Sequence, residues 1–131
     1  MTAEIDAVIA AFYAAFDNRG GRVPVAEDLR GLFTEAATVT RAAGDEIDTW
    51  DPDGFVEPRI ALLTGGTLVD FHEWETGSRT LVLDHIASRW STYEKEGKLD
   101  GAEYRGGGHK LIQLHRVGGR WLISSLLWED D

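Results

Sequence analysis

The stretch "VDFHEWE", Val69 to Glu75, sets one histidine and three carboxylates among aromatic residues, and a second acid/imidazole pair, Asp84 and His85, follows it. An imidazole oriented by a carboxylate is a general acid/base unit that titrates near neutral pH. Asp70 would face His85 across two strands if "TGSR", residues 76–79, formed a hairpin turn between them. His72 and Glu73 are the other candidates here. Adjacent residues of a strand point to opposite faces, so at most one of them can look into a pocket. On an edge strand such charges also serve as a solvated guard against edge-to-edge pairing.

Other chemistry is poorly supported by spacing. His109 and His115 share a strand face but stand about 20 Å apart along it, too far to share a metal ion. The chain has no cysteine, so it has no thiolate nucleophile, no disulfide and no Cys-based zinc site. "RGGGHK" at 105–110 lacks the spacing of a phosphate loop and leads into a strand rather than a helix, which makes a bulge or loop the expected form. Ser124 and Ser125 lie in no nucleophile motif and read as small core residues. No cofactor and no metal is expected.

These residues must be positioned by elements whose patterns are clear. Ile5, Val8, Ile9, Phe12, Tyr13 and Phe16 recur at helical spacing over residues 3–17, with Thr2 as cap, Glu4 and Asp6 at the positive end, and "NRGG" as the stop. Pro24 opens a second short helix with Leu29, Leu32 and Phe33 inward. "TEAATVTRAAG" reads as a first strand and Ile47 to Trp50 as a second. "DPDG" caps a third helix, "FVEPRIALLTGG", in which Pro58 must lie near the first turn or kink the helix. Strand alternation follows over residues 67–76, 80–94, 110–117 and 120–128, the last two joined through the glycines of "VGGR". Helices first and antiparallel strands after is an α+β layout in one domain, 1–131.

Composition narrows the partners. With 131 residues, 43% hydrophobic and 27% charged, one core is expected and no apolar run approaches the ~18 residues of a membrane span. The formal charge of −10 disfavours nucleic acid, whose binding rests on clustered cations. The acids, "EDD" at 129–131 included, read as a solvated surface. The acidic start "MTAEIDAVIA" is unlike a secretory signal, and a cytoplasmic setting is expected. In "RWLISSLLW", Trp121, Ile123, Ser125 and Leu127 alternate with Leu122, Ser124, Leu126 and Trp128. Neither face is polar, so a homodimer through the outer face of the sheet is expected to cover the side the helices leave open.

The segments "LRGLFTEAATV", "HEWE", "SRWSTYE" and "IQLHRVGGRWLISSLLW" resemble those of the nuclear-transport-factor-2-like superfamily, and within it the SnoaL-like group. The resemblance implies a conical fold, three N-terminal helices on a curved antiparallel sheet, with a cavity between the layers. It also implies that "LDHIA" holds the hairpin turn and "TGSR" a bulge, which would leave His85 at a turn tip. Steroid-isomerase-like members use a helix tyrosine, an aspartate base on the first strand and a protonated acid on a later strand. Those positions fall at Phe12 or Tyr13, at Arg41 and near Leu111. A guanidinium cannot take a proton at neutral pH, so that chemistry is not expected.

Tyr13, Phe16, Trp50, Phe55, Trp90 and Trp121 are spread over elements that this fold brings around one cavity, with Arg41 and Arg59 as polar anchors. Two functions remain: a non-catalytic or accessory dimer that binds a small apolar ligand, or a cofactor-independent lyase, isomerase or cyclase using Tyr13 and either His72 or Glu73. Arg41 at the base position favours the first.

Overall fold

The computed structural model describes residues 2–131. Helix α1 covers Ala3–Ala14 and buries Ile5, Ile9, Phe12 and Tyr13, the predicted stripe. It ends earlier than the apolar spacing suggests, and a 3₁₀ turn, Arg19–Gly21, follows. Thr2 does not cap it: the hydroxyl donates to the Asp6 carboxylate, 3.2 Å away, instead of accepting from a backbone amide. Helix α2 is short, Ala26–Arg30, and Phe33 already belongs to strand β1, Phe33–Ala43. Strand β2 is Glu46–Trp50.

Helix α3, Pro52–Thr64, starts as expected, with Asp51 accepting from the Gly54 amide at 2.7 Å. Pro58 lies in the helix interior, past the first turn. Its missing amide is a lost helical hydrogen bond, and next to it the Arg59 Nη1 donates to the Phe55 carbonyl at 3.1 Å.

Four long strands complete the chain: β3 Leu68–Val82, β4 Ile86–Leu99, β5 Ala102–Val117 and β6 Arg120–Asp130. The six strands form one sheet in the order β2-β1-β6-β5-β4-β3. It is antiparallel except at one seam, where β1 runs parallel to β6. The helices pack on one face, and the core between the layers runs from Ile5, Phe12 and Phe55 to Ile112, Leu114 and Ile123. The result is the conical α+β fold, three helices on a curved sheet.

"TGSR" is not a turn. It lies inside β3, with a register shift between Glu75 and Gly77, and the hairpin closes instead at Leu83–Ile86. Asp84 and His85 are exposed there, and Asp70 stands near the far end of the same hairpin, where Val69 pairs with Lys98. The Asp70–His85 dyad therefore does not exist. "RGGGHK" is neither bulge nor loop but regular β5. Gly108 is glycine because a side chain there would run into the Glu129 carbonyl of the neighbouring strand. Gly118 and Gly119 make the expected two-residue turn, both at positive φ, 57° and 80°.

A bulge also revises the reading of β6. Gln113 pairs with Ser125 but Leu114 pairs with Ile123, so Ser124 is the extra residue. One extra residue reverses which face every later side chain meets. Trp121, Ile123, Leu126 and Trp128 are accordingly all buried, while Leu127 is 44% exposed. The strand is not apolar on both faces; it is apolar on one face that changes parity midway.

Candidate functional site

The site is built by a second parity change, in β3. Asp70 takes a positive φ of 50°, and the register with β4 shifts between Val69 and His72. After that bulge Phe71, Glu73 and Glu75 turn toward the helices, and His72 and Trp74 turn away. His72 stacks on Trp74 with ring centres 4.5 Å apart, and its Nε2 lies 3.2 Å from Glu96 Oε1. Of the adjacent pair, Glu73 is the one that reaches the interior, where its side chain is 13% exposed.

Between α1, α3 and the concave sheet lies a cavity of about 370 Å³. Its apolar lining comes from Phe12 of α1 and Phe16 just past its end, Phe55 and Leu63 of α3, and Trp50 and Trp128 on the sheet. Two ionic clusters face it. In the first, Lys110 Nζ is 3.2 Å from Glu73 Oε1 and 3.6 Å from the Tyr93 ring centre. Burial holds this amine below the ordinary lysine range, although Glu73 opposes the shift. In the second, Tyr93 donates its hydroxyl to Asp130, which also lies 3.5 Å from Lys95 Nζ and 3.4 Å from Arg41 Nη2. Burial raises the Asp130 carboxyl, but the Tyr93 hydrogen bond and the surrounding cations outweigh it and hold the group below the usual range. Tyr93 is pushed upward by burial and by the same carboxylate.

Arg59 is the remaining cation of the wall. Its guanidinium carbon lies 4.2 Å over Phe55, 5.0 Å over Trp50 and 5.3 Å over Trp128. Arg41 stands at the rim, with a side chain 42% exposed.

The expected cavity set divides. Phe16, Arg41, Trp50, Phe55 and Arg59 line the cavity, as does Glu73. Three others do not. Tyr13 is buried beside it, and its hydroxyl is 2.8 Å from Ser91 Oγ, which donates to Glu75 at 2.6 Å. Trp90 lies on the opposite face because Arg89 and Ser91 take the inward positions of β4; it is 39% exposed and stacks on His109. Trp121 is core, beyond the cavity.

Lys110, Tyr93, Lys95 and Asp130 were not foreseen as site residues. Lys110 had a readable signal, a lone cation in phase with Ile112 and Leu114 on the buried face of β5. Asp130 had none: the acidic "EDD" gives no hint that its middle residue turns inward to Tyr93.

The inner polar groups that miss the cavity hold α1 to the sheet. Arg89 grips Glu75 through Nε at 3.2 Å and Nη2 at 2.5 Å, and reaches Asp6 of α1 at 2.5 Å. A second hollow of about 350 Å³, around Leu81, Ile86, Gln113 and Ser124, has His115 as its one titratable group.

No known family's sequence pattern matches the chain, and no curated protein matches it. Solved structures match well in shape. A conserved protein from Planctomyces limnophilus superposes with a TM-score of 0.83 at 12% identity, over 98% of this chain and 94% of the other. A protein from Novosphingobium aromaticivorans, named as a candidate scytalone dehydratase, gives 0.78 at 14% identity, over 99% and 83%. One from Nostoc punctiforme, of unknown function with a cystatin-like fold, gives 0.75 at 14%, over 99% and 90%. At such identities the likeness is one of fold. The chain has the conical fold of nuclear-transport-factor-2-like proteins.

Proposed function

We propose that this SnoaL-like protein binds a small, largely apolar or aromatic molecule in the cavity and acts as a non-catalytic or accessory cytoplasmic homodimer. The observation that carries the reading is the wall itself: stacked Trp50 and Trp128, Phe16 and Phe55 enclose about 370 Å³, with the polar groups gathered into a few clusters. That volume and that mixture suit a small ligand.

Acid/base catalysis is the second reading, and Glu73 favours it because a carboxylate does reach the cavity. Its weakness is electrostatic. A general base works best with a pKa raised toward the working pH. Here Glu73 is tied to Lys110, and Asp130 is shifted down rather than up. Tyr13 and His72, the other proton-transfer candidates, are engaged outside the cavity. The candidate dehydratase of like fold is a reason to test a lyase, not a reason to assign one.

Native mass spectrometry of freshly purified protein tests the binding reading. A retained small molecule is expected on the wild type and should be absent from Leu62→Trp, which fills the rim of the cavity from a side chain 41% exposed. No retained molecule, together with no response of the tryptophans to any aromatic ligand, would remove it.

A further inference from the structure

Charges around the cavity are matched except at one place. Glu73 answers Lys110, and Asp130 answers Lys95 and Arg41. Among the described residues Arg59 has no carboxylate within ion-pairing distance, and its one side-chain hydrogen bond goes to the Phe55 carbonyl. A guanidinium carries five N–H donors in its plane and no acceptor. The guanidinium carbon sits over the Phe55, Trp50 and Trp128 rings, and rings offer an N–H edge no carboxylate, so its donors remain available to an anion. Asp48, at the rim, is exposed and screened by solvent. In a chain of net charge −10, a cation without a contacting carboxylate in the aromatic part of the cavity is a selective feature.

We propose that Arg59 anchors the carboxylate of a small aromatic acid, whose ring occupies the apolar part of the cavity. The inference rests on the ligand-binding reading and gives it a substrate class. Paired N–H groups on the edge of Arg59 donate to the two carboxylate oxygens side by side, the geometry at which arginine exceeds lysine. Burial and the nearby Arg41 disfavour the guanidinium charge, Glu73 and Asp130 offset this only in part from beyond ion-pairing distance, and an arriving anion offsets the rest. A neutral ligand of the same shape gains only the apolar contacts.

The test is a tryptophan-fluorescence titration with aromatic acids from benzoate to 2-naphthoate, each against its primary amide. Trp50 and Trp128 in the wall report occupancy. The wild type should bind the best acid roughly tenfold to a hundredfold more tightly than its amide, the worth of hydrogen bonds to a charged group. Arg59→Met should lose that preference while still binding the amide, and Arg59→Lys should recover part of it. Equal binding of acid and amide by the wild type overturns the anchor and leaves the cavity reading intact; this comparison needs no variant to fold. A preference that survives Arg59→Met also overturns it, by assigning the anion to another cation. Failure of both acids and amides to bind overturns the anchor and the ligand-binding reading together.

Discussion

Lys110 and Glu73 meet inside the protein, ammonium to carboxylate at 3.2 Å, with side chains only 6% and 13% exposed. Neither could do so from a regular strand on β3: it is the Asp70 bulge that turns Glu73 inward to meet the buried phase of β5. The Tyr93 ring beneath the ammonium adds a cation–π contact.

Removing one member of a buried pair strands the other charge, so Lys110→Met and Glu73→Gln should each cost about 3 kcal/mol or more. The double variant should be less destabilised than the two single losses added together. Urea denaturation of all four proteins checks this; additive losses would mean that the two groups do not interact.

Asn18 is a second buried connector. Its Nδ2 donates to the Leu63 carbonyl at 2.9 Å and the Leu68 carbonyl at 2.7 Å, and its Oδ1 accepts from the Phe71 amide at 2.7 Å. It thereby ties the end of α3 to the start of β3, next to the bulge that aims Glu73. Asn18→Ala leaves these groups without partners and should cost about 3 kcal/mol, roughly 10 °C in melting temperature. Asn18→Asp keeps the acceptor for Phe71 but turns an oxygen toward two carbonyls, and should melt at least as low. An aspartate variant as stable as wild type would show that the Leu63 and Leu68 bonds do not matter.

Asp17 gives a pH dependence with a defined sign. Hydrogen bonds from Arg19, aided by the charge of Arg22, hold its carboxyl at about 2, well below the ordinary aspartate range. A depressed carboxyl stabilises the fold above its unfolded value and ceases to do so as pH falls through the folded one. Asp17→Asn should therefore be less stable than wild type at pH 7 by about 1 to 2 kcal/mol, allowing for solvent-exposed partners. The gap should narrow below pH 4 and close near pH 2. Denaturation midpoints measured across that window decide it; a gap that stays constant would remove the electrostatic explanation.

Much of the fold was legible because its patterns are local. The stripe of Ile5, Ile9, Phe12 and Tyr13, the cap at Asp51 and the turn at Gly118–Gly119 each need only a few neighbouring residues to be read. The cavity was legible in part for the opposite reason. Trp50, Phe55 and Arg59 sit in elements without parity changes before them, whereas Glu73 and Leu127 follow the bulges at Asp70 and Ser124 that change the phase of their strands. A bulge leaves little trace in composition, yet it decides which face every following residue meets. The Tyr93–Asp130 contact joins residues far apart in sequence, and local pattern carries no information about such a pair.

The Ser124 bulge also changes the ground for dimerisation. Since β6 is not apolar on both faces, the case for a partner now rests on what remains outside: Trp90, Leu111 and Leu127, which lie side by side in register across β4, β5 and β6 and are 39%, 48% and 44% exposed. An apolar row on the face away from the helices is a surface that a second copy can cover isologously. We expect the wild type to sediment as a dimer at micromolar concentration. Leu127→Glu should give a monomer, because a carboxylate in the row must be buried against the partner's apolar row. Its melting temperature as a monomer should stay close to that of Leu127→Ala, since the side chain is half exposed and carries little of the core. Sedimentation velocity separates the cases: a wild type that stays monomeric at tens of micromolar, or a Leu127→Glu variant that remains dimeric, would move the interface off this row or remove it.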